Sequence, residues 1–237
     1  MTLAVLSAHA HEFGIELSPT QIEAFEIYLR ELVAWNARFN LTTITEPDQV
    51  IVKHFLDSLS VASVLHDPVP ATLIDVGSGA GFPGLPLKIG LPALSVTLID
   101  STGKKVEFLK HVIAELNLRG ITALHARAEE LAHNPAHREK YDAAAARAVA
   151  DLATLLEYTL PFVRVGGVFV AQKGVDVEEE VRRAARAMEE LGGRLSAVVP
   201  VQLPGLEPRH LIVVEKVAAT PGNYPRAAGA PKKKPIL

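Results

Sequence analysis

Leu73-Ile74-Asp75-Val76-Gly77-Ser78-Gly79-Ala80-Gly81-Phe82-Pro83-Gly84 reads as a buried strand that runs into a glycine-dense turn and then a proline. Glycines at 77, 79 and 81 let the backbone take positive φ and approach a ligand closely, and Pro83 pre-sets φ for the first turn of a following helix. The stretch predicts strand, tight loop and helix start. A second strand pattern, Val96-Thr97-Leu98-Ile99-Asp100, ends in a carboxylate 23 residues after Gly77. Doubly wound folds place there the acid that binds a ribose hydroxyl pair, so the two stretches together call for an adenosine-type cofactor.

Charge narrows the choice of cofactor. A nicotinamide or flavin dinucleotide lays a pyrophosphate on such a loop, and its fingerprint wants a small residue at position 82, where this chain has Phe. Asp75 would set a negative charge beside that pyrophosphate. No Gly-Lys-Ser/Thr follows, which removes a phosphate loop. S-adenosylmethionine has no phosphate and carries an ammonium and a sulfonium, so Asp75, the Gly-x-Gly-x-Gly loop and Asp100 suit it better.

Outward from this loop the pattern alternates. Strands are predicted at 72–76, 95–100, 121–125, 141–146 and 167–172, with helices from Pro83 and over 103–117, 128–132, 150–160 and 176–191. The last two strands, 193–202 and 210–217, are joined by Leu203-Pro204-Gly205-Leu206-Glu207-Pro208, too short for a parallel crossover. The expected fold is therefore α/β: a mostly parallel seven-stranded sheet with a carboxyl-terminal antiparallel hairpin, the architecture of Rossmann-like class I methyltransferases. Upstream, Ser18-Pro19-Thr20-Gln21 is a capping box with proline at the first helical position, and Ile22, Phe25, Leu29 and Leu32 form one apolar stripe to about Arg38. A second helix opens at Pro47-Asp48 and places His54 and Asp57 at i and i+3 on one face, where they can pair or cap locally.

The 237 residues, 49% hydrophobic, fit one domain plus an extension. The division expected is a helical extension over 1–70, a methyltransferase core over 71–217 and a basic Pro/Gly-rich tail over 218–237. The absence of cysteine removes disulfides and thiolate metal sites. No apolar run approaches the roughly 20 residues of a membrane span, and a cytoplasmic protein is expected. Residues 216–237 hold five basic side chains (Lys216, Arg226, Lys232, Lys233, Lys234) and no acid, in a chain of net charge −3. A basic tail on an acidic body points to a polyanion meeting one face. Its scattered prolines and glycines carry no period, and the tail is expected to be extended or ordered only on contact.

With these motifs in place the chain resembles the bacterial glucose-inhibited division protein B family, methyltransferases that act on N7 of a guanosine in 16S ribosomal RNA. The resemblance is carried by Asn40-Leu41-Thr42, Lys53-His54-Phe55-Leu56-Asp57-Ser58-Leu59, the glycine loop with Gly-Phe-Pro-Gly, Asp100-Ser101 with Lys104-Lys105, and Arg127-Ala128-Glu129. It continues in Arg147-Ala148-Val149, Lys173-Gly174 and the tail from Tyr224-Pro225-Arg226 to Pro235. It implies that Gly77 and Phe82 contact the cofactor, Asp100, Ser101 and Thr102 hold the ribose, Ala128 and Glu129 meet the adenine, and Arg147 lines the mouth of the pocket. His54, Lys173 and Arg226 become candidate RNA contacts. The sequence departs from the family pattern at Asp100, where Glu is commoner, at Gln172, where an apolar residue is usual, and at Ala227, where a second basic residue is common.

Guanine N7 already has a free lone pair, so the reaction implied needs alignment and no catalytic base. Pyrimidine C5 methylation would need a cysteine, and amine methylation usually an Asn/Asp-Pro-Pro-aromatic loop where this chain reads Ala146-Arg147-Ala148-Val149. No residue is assigned as catalytic and no metal is expected. The expected partner is 16S rRNA or the small-subunit particle, met by a monomer that does not touch membranes. Two rivals stay open: ribose 2′-O methylation with Lys173 or Lys53 as base, and a non-catalytic ribosome-assembly factor that retains a cofactor pocket.

Overall fold

The computed structural model describes residues 3–65, 70–147 and 150–237. Ser18 caps α2 (Pro19–Phe39) as the sequence predicts: its hydroxyl accepts from Gln21 N and the Gln21 side chain accepts from Ser18 N. Before it lies the short α1 (Ala4–Ala10). The face that α2 buries is centred on Phe25, Tyr28 and Leu32, while Ile22 and Leu29 are half-buried. Tyr28 belongs to that face because its ring packs among Phe55, Phe82 and Phe108, and its hydroxyl donates to Ala80 O in the glycine loop. The next helical run is continuous but changes pitch, from α3 (Pro47–Val50) through a π-helical stretch (Ile51–Leu56) to α4 (Asp57–Leu59) and a 3-10 segment (Ser60–Val64).

The strands are β1 (Thr72–Val76), β2 (Ser95–Asp100), β3 (Ile121–His125), β4 (Tyr141–Arg147), β5 (Val163–Lys173), β6 (Gly193–Val201) and β7 (Arg209–Lys216). They form one sheet in the order β3-β2-β1-β4-β5-β7-β6, parallel except where β7 pairs antiparallel with both β5 and β6. The helices between them are α5 (Gly84–Gly90), α6 (Gly103–Glu115), α7 (Ala128–Leu131), α8 (Leu152–Thr159), α9 (Val177–Arg183) and α10 (Ala185–Glu190). The helix expected over 176–191 is thus two helices meeting at Ala184, and α5 begins one residue after Pro83, where the buried Asp75 carboxylate accepts from Gly84 N.

Side chains on a strand alternate between faces, which divides the core in two. Leu73, Val96, Leu98, Ala143 and Ala145 pack with α1, α2, the 47–64 run, α5 and α6. Ile74, Val76, Ile99, Ala144 and Ala146 pack with α7 to α10. The helices before residue 70 share the first of these cores with the sheet.

The segment after β7 differs from the sequence expectation. It is docked on the chain itself and ends in α11 (Ala230–Lys233), with Tyr224, Pro231 and Ile236 buried. Body side chains supply the anchors: Glu157 accepts four hydrogen bonds from Arg226, Glu190 accepts from the Tyr224 hydroxyl, and Arg138 donates to the carbonyls of Thr220, Pro221 and Tyr224. Pairing of this kind leaves no period in the tail's own sequence. Lys216, one of the five basic residues, is fully buried and donates to Leu160 O.

Candidate functional site

The glycine loop turns at the carboxyl end of β1, and its backbone is almost wholly committed within the chain. Gly77 N and Ser78 N donate to Ile99 O, Gly79 N to Asp100 Oδ2, and Gly81 N and Phe82 N to Ser78 O. Gly79 has φ +60°, and a Cβ built there meets nothing nearer than 3.9 Å. Gly81, at φ +104°, is enclosed: a Cβ would stand 2.5 Å from Leu85 and 2.6 Å from the Tyr28 hydroxyl. Positive φ explains both glycines, and close packing explains only the second.

Asp100, at the end of β2, accepts from Gly79 N through one oxygen and from Thr102 N at 2.8 Å through the other. Its carboxylate thereby joins the loop to the start of α6. Two cavities open on either side of it, of about 450 Å³ and about 210 Å³, with Gly77, Asp100 and Ser101 in the wall of both. The larger is also lined by Thr42, His54, Gly79, Phe82, Thr102, Lys105 and Arg147. The smaller is lined by Arg127, Ala128, Glu129, Ala150, Tyr158 and Lys232. Both lie beyond the carboxyl ends of β1, β2 and β4, where open α/β sheets bind ligands.

A wall of the larger cavity is built from four side chains. The His54 ring stacks on Phe82 with centroids 4.4 Å apart, and the Arg147 guanidinium sits over the same phenyl ring at 4.7 Å. Arg147 donates to Asp57 Oδ2 and to His54 Nδ1, each at 3.1 Å. The same Nδ1 lies 3.1 Å from Lys53 O, and Nε2 meets Thr42 Oγ1 at 2.9 Å, so both ring nitrogens are engaged within the chain. Burial, reinforced by the Arg147 charge, pushes the His54 pKa down to about 3, so the imidazole is neutral throughout the physiological range. Asp57 is buried and also meets Arg209 at 3.5 Å, so one carboxylate holds two guanidiniums. Gln172, the polar residue in β5, reaches Asp57 O at 2.7 Å and ties the sheet to α4.

Asp75 lies beneath the loop, fully buried and outside both cavity linings. Its Oδ2 accepts from Gly84 N, while Oδ1 has no hydrogen-bond partner. Burial pushes its pKa up to about 7, against the opposing effect of the Gly84 N–H.

Of the residues singled out in the sequence, Gly77, Gly79, Phe82, Asp100, Ser101, Thr102, Arg147 and His54 share the larger cavity, and Ala128 and Glu129 line the smaller. Asp75 and Gly81 support the loop from below. Lys173 and Arg226 lie elsewhere, each in an ion pair within the chain: Lys173 with Glu180 at 2.6 Å and Arg226 with Glu157 at 2.6 Å. Ala148 and Val149, next to Arg147, lie outside the described residues. Sequence reasoning missed Thr42, Lys105, Tyr158 and Lys232 as lining residues and Arg209 as a neighbour of the site. Lys105 follows the Asp100-Ser101 motif closely enough to be found. Tyr158, Arg209 and Lys232 come from distant segments and leave no local signal. Among the described residues no group of His, Asp or Glu side chains could hold a metal ion, and no helix is long and apolar enough to cross a membrane.

Residues 21–212 match the GidB family, described as rRNA small subunit methyltransferase G. A protein of that name from Roseiflexus castenholzii is 54% identical over 228 residues, covering 96% of this chain and 97% of its own length. Another from Chloroflexus aggregans is 50% identical and covers 94% of each. Among solved structures, TrmN from Thermus thermophilus superposes with a TM-score of 0.52 at 20% identity, over 70% of this chain and 53% of its own, a likeness of fold.

Proposed function

The chain belongs to the rRNA small subunit methyltransferase G family, and from that premise we propose that it transfers a methyl group from S-adenosylmethionine to N7 of a guanosine in 16S ribosomal RNA. The observation that carries the choice of cofactor is the state of the loop. A pyrophosphate needs free backbone N–H donors, and here those of Gly77, Ser78, Gly79, Gly81 and Phe82 all donate within the chain. What the loop offers instead is carboxylate: Asp100 facing the cavities and Asp75 buried below with an unpaired oxygen. These residues fit a cationic, phosphate-free nucleoside. Asp100 and the Ser101–Thr102 turn would hold its ribose, Ala128 and Glu129 its base, and the glycine loop its amino-acid end. When bound, the cofactor supplies an electrophilic methyl group on a sulfonium.

The chain's part is to place the acceptor. The larger cavity has room for a base beside the Phe82 ring, with His54, Arg147 and Lys105 around it. A neutral His54 fixed between Thr42 and Arg147 gives that wall one geometry at all working pH values. Arg147 and Lys105 line this cavity and, with Arg209 beside Asp57, outnumber the two carboxylates they meet, Asp57 and Asp100, which leaves an excess of positive charge for a polyanion. No side chain takes a proton, because guanine N7 has none to give. Of the two lysines that a ribose 2′-O reaction could use as base, Lys173 donates to Glu180 and to Ala150 O and Lys53 donates to Gln49, and neither lines the cavities. The protein acts as a cytoplasmic monomer in this reading.

The test is the acceptor atom. Replacing the target guanine by 7-deazaguanine removes the nucleophile and little else, and methyl transfer from labelled cofactor should cease. Transfer that persists at the same nucleotide points to the ribose or an amine. Binding of both cofactor and RNA without any transfer to natural 16S rRNA points to an assembly factor.

A further inference from the structure

The reaction leaves unused the Pro/Gly-rich segment after residue 217, which the fold docks beside the smaller cavity. Its anchors fall in two groups. On one side Arg226 is held by Glu157, a side chain only 1% exposed, and His133 meets Pro225 O at 2.8 Å. On the other, Ile236 is buried in the core of the α8 face and Pro231 O accepts from Thr154. The backbone between these anchors borders the cavity. There Gly229 N donates to Glu129 Oε1 at 2.9 Å, and the Lys232 side chain is part of the cavity lining together with Tyr158 and Glu129.

Glu129 therefore has two neighbours, the cavity and the tail backbone. A carboxylate has about four acceptor positions, so the bond from Gly229 fixes its orientation and leaves capacity for a ligand. A ligand that pairs with Glu129 finds it already positioned, and a tail that leaves takes away both the orienting N–H and the Lys232 stem.

We propose that residues 227–237 form a wall of the nucleoside end of the cofactor cleft, so that docking of this segment and binding of the cofactor strengthen each other. The inference rests on the cofactor reading above. Linkage requires the coupling to be reciprocal: whatever factor the segment adds to affinity, the ligand adds to the segment's docking.

S-adenosylhomocysteine is the probe, measured by calorimetry and by hydrogen exchange. A chain ending at Arg226 keeps the Tyr224 and Arg226 anchors and is expected to bind it at least ten-fold more weakly than the full chain. Lys232→Ala is expected to lose about three-fold while the melting temperature of the unligated protein stays the same, a split that a purely structural role would not give. In the unaltered full chain, the ligand is expected to slow exchange of the amides of residues 229, 230, 232 and 233 by at least ten-fold, which decides the matter even if the truncated chain fails to fold. Equal affinities for the folded truncated and full chains, or exchange of these amides indifferent to the ligand, would overturn the wall while leaving the cofactor assignment standing. Failure of the full chain to bind S-adenosylhomocysteine at all would overturn both.

Discussion

Four residues in and around the glycine loop carry separable roles. Asp100 accepts from Gly79 N and Thr102 N and faces both cavities, so Asp100→Ala should weaken S-adenosylhomocysteine binding by about 1.5–3 kcal/mol, the range for hydrogen bonds to a charged group. Calorimetry reads this directly. Gly79 and Gly81 share positive φ but not surroundings. Gly79→Ala should cost about 1–2 kcal/mol of stability from backbone strain alone, and Gly81→Ala distinctly more, because its Cβ would collide with Leu85 and Tyr28; urea unfolding should rank them in that order. Asp75 adds a pH signature. Its folded pKa, raised to about 7 by burial, lies above the unfolded value near 4, so its contribution to stability is present at low pH and is lost as pH rises through about 4 to 7. Asp75→Asn should remove that loss, and the stability of the variant relative to the parent should increase from pH 4 to pH 7. His54 works in the opposite sense over about pH 3 to 6.5, since its folded pKa is depressed to about 3; comparison of the two proteins cancels it. With His54 neutral and no base in use, single-turnover methyl transfer should be nearly flat from about pH 6 to pH 9. A rise that follows a lysine titration would favour the ribose reaction.

At the scale of elements, the amino-terminal helices act on the site through α2. Gln21 closes the capping box and also donates through Nε2 to Ile89 O and Gly90 O, joining the start of α2 to the end of α5. About two turns further on, the Tyr28 hydroxyl holds Ala80 O in the glycine loop. Tyr28→Phe leaves the ring stack with Phe55 and Phe82 intact and orphans that buried carbonyl, an expected cost of about 1–3 kcal/mol in denaturant unfolding. It should also weaken cofactor binding, since the loop loses its support from behind. The π-helical stretch at 51–56 belongs to the same scale. It carries His54, and α4 directly after it carries Asp57; the two, three residues apart, meet one guanidinium rather than each other. The sequence places them on one face but cannot supply Arg147, which arrives from β4.

At the scale of the whole molecule, the distribution of charge is settled by pairing rather than by composition. Arg226 reads as a free cation in a basic tail, yet its guanidinium is locked on Glu157. Arg226→Ala should therefore destabilise the fold by about 3 kcal/mol, because it strands a buried carboxylate, while the salt dependence of RNA binding stays as it was. Unchanged stability with a salt slope smaller by about 0.7 would return Arg226 to the RNA interface. The same distinction separates what was legible from what was not. The strands, the hairpin, the capped helix, the glycine loop and Asp100 could all be read because each is a local pattern: alternation, a short helix-free connection, a cap, residues tolerant of positive φ. The sheet order follows once handed crossovers join such strands. Only the tertiary structure could decide that Asp57 serves two arginines, that Lys232 and Tyr158 line the smaller cavity, and that the carboxyl-terminal segment is docked rather than free. Those are contacts between residues many tens of positions apart, made by single charged or polar groups without period, and no local regularity of the sequence records them.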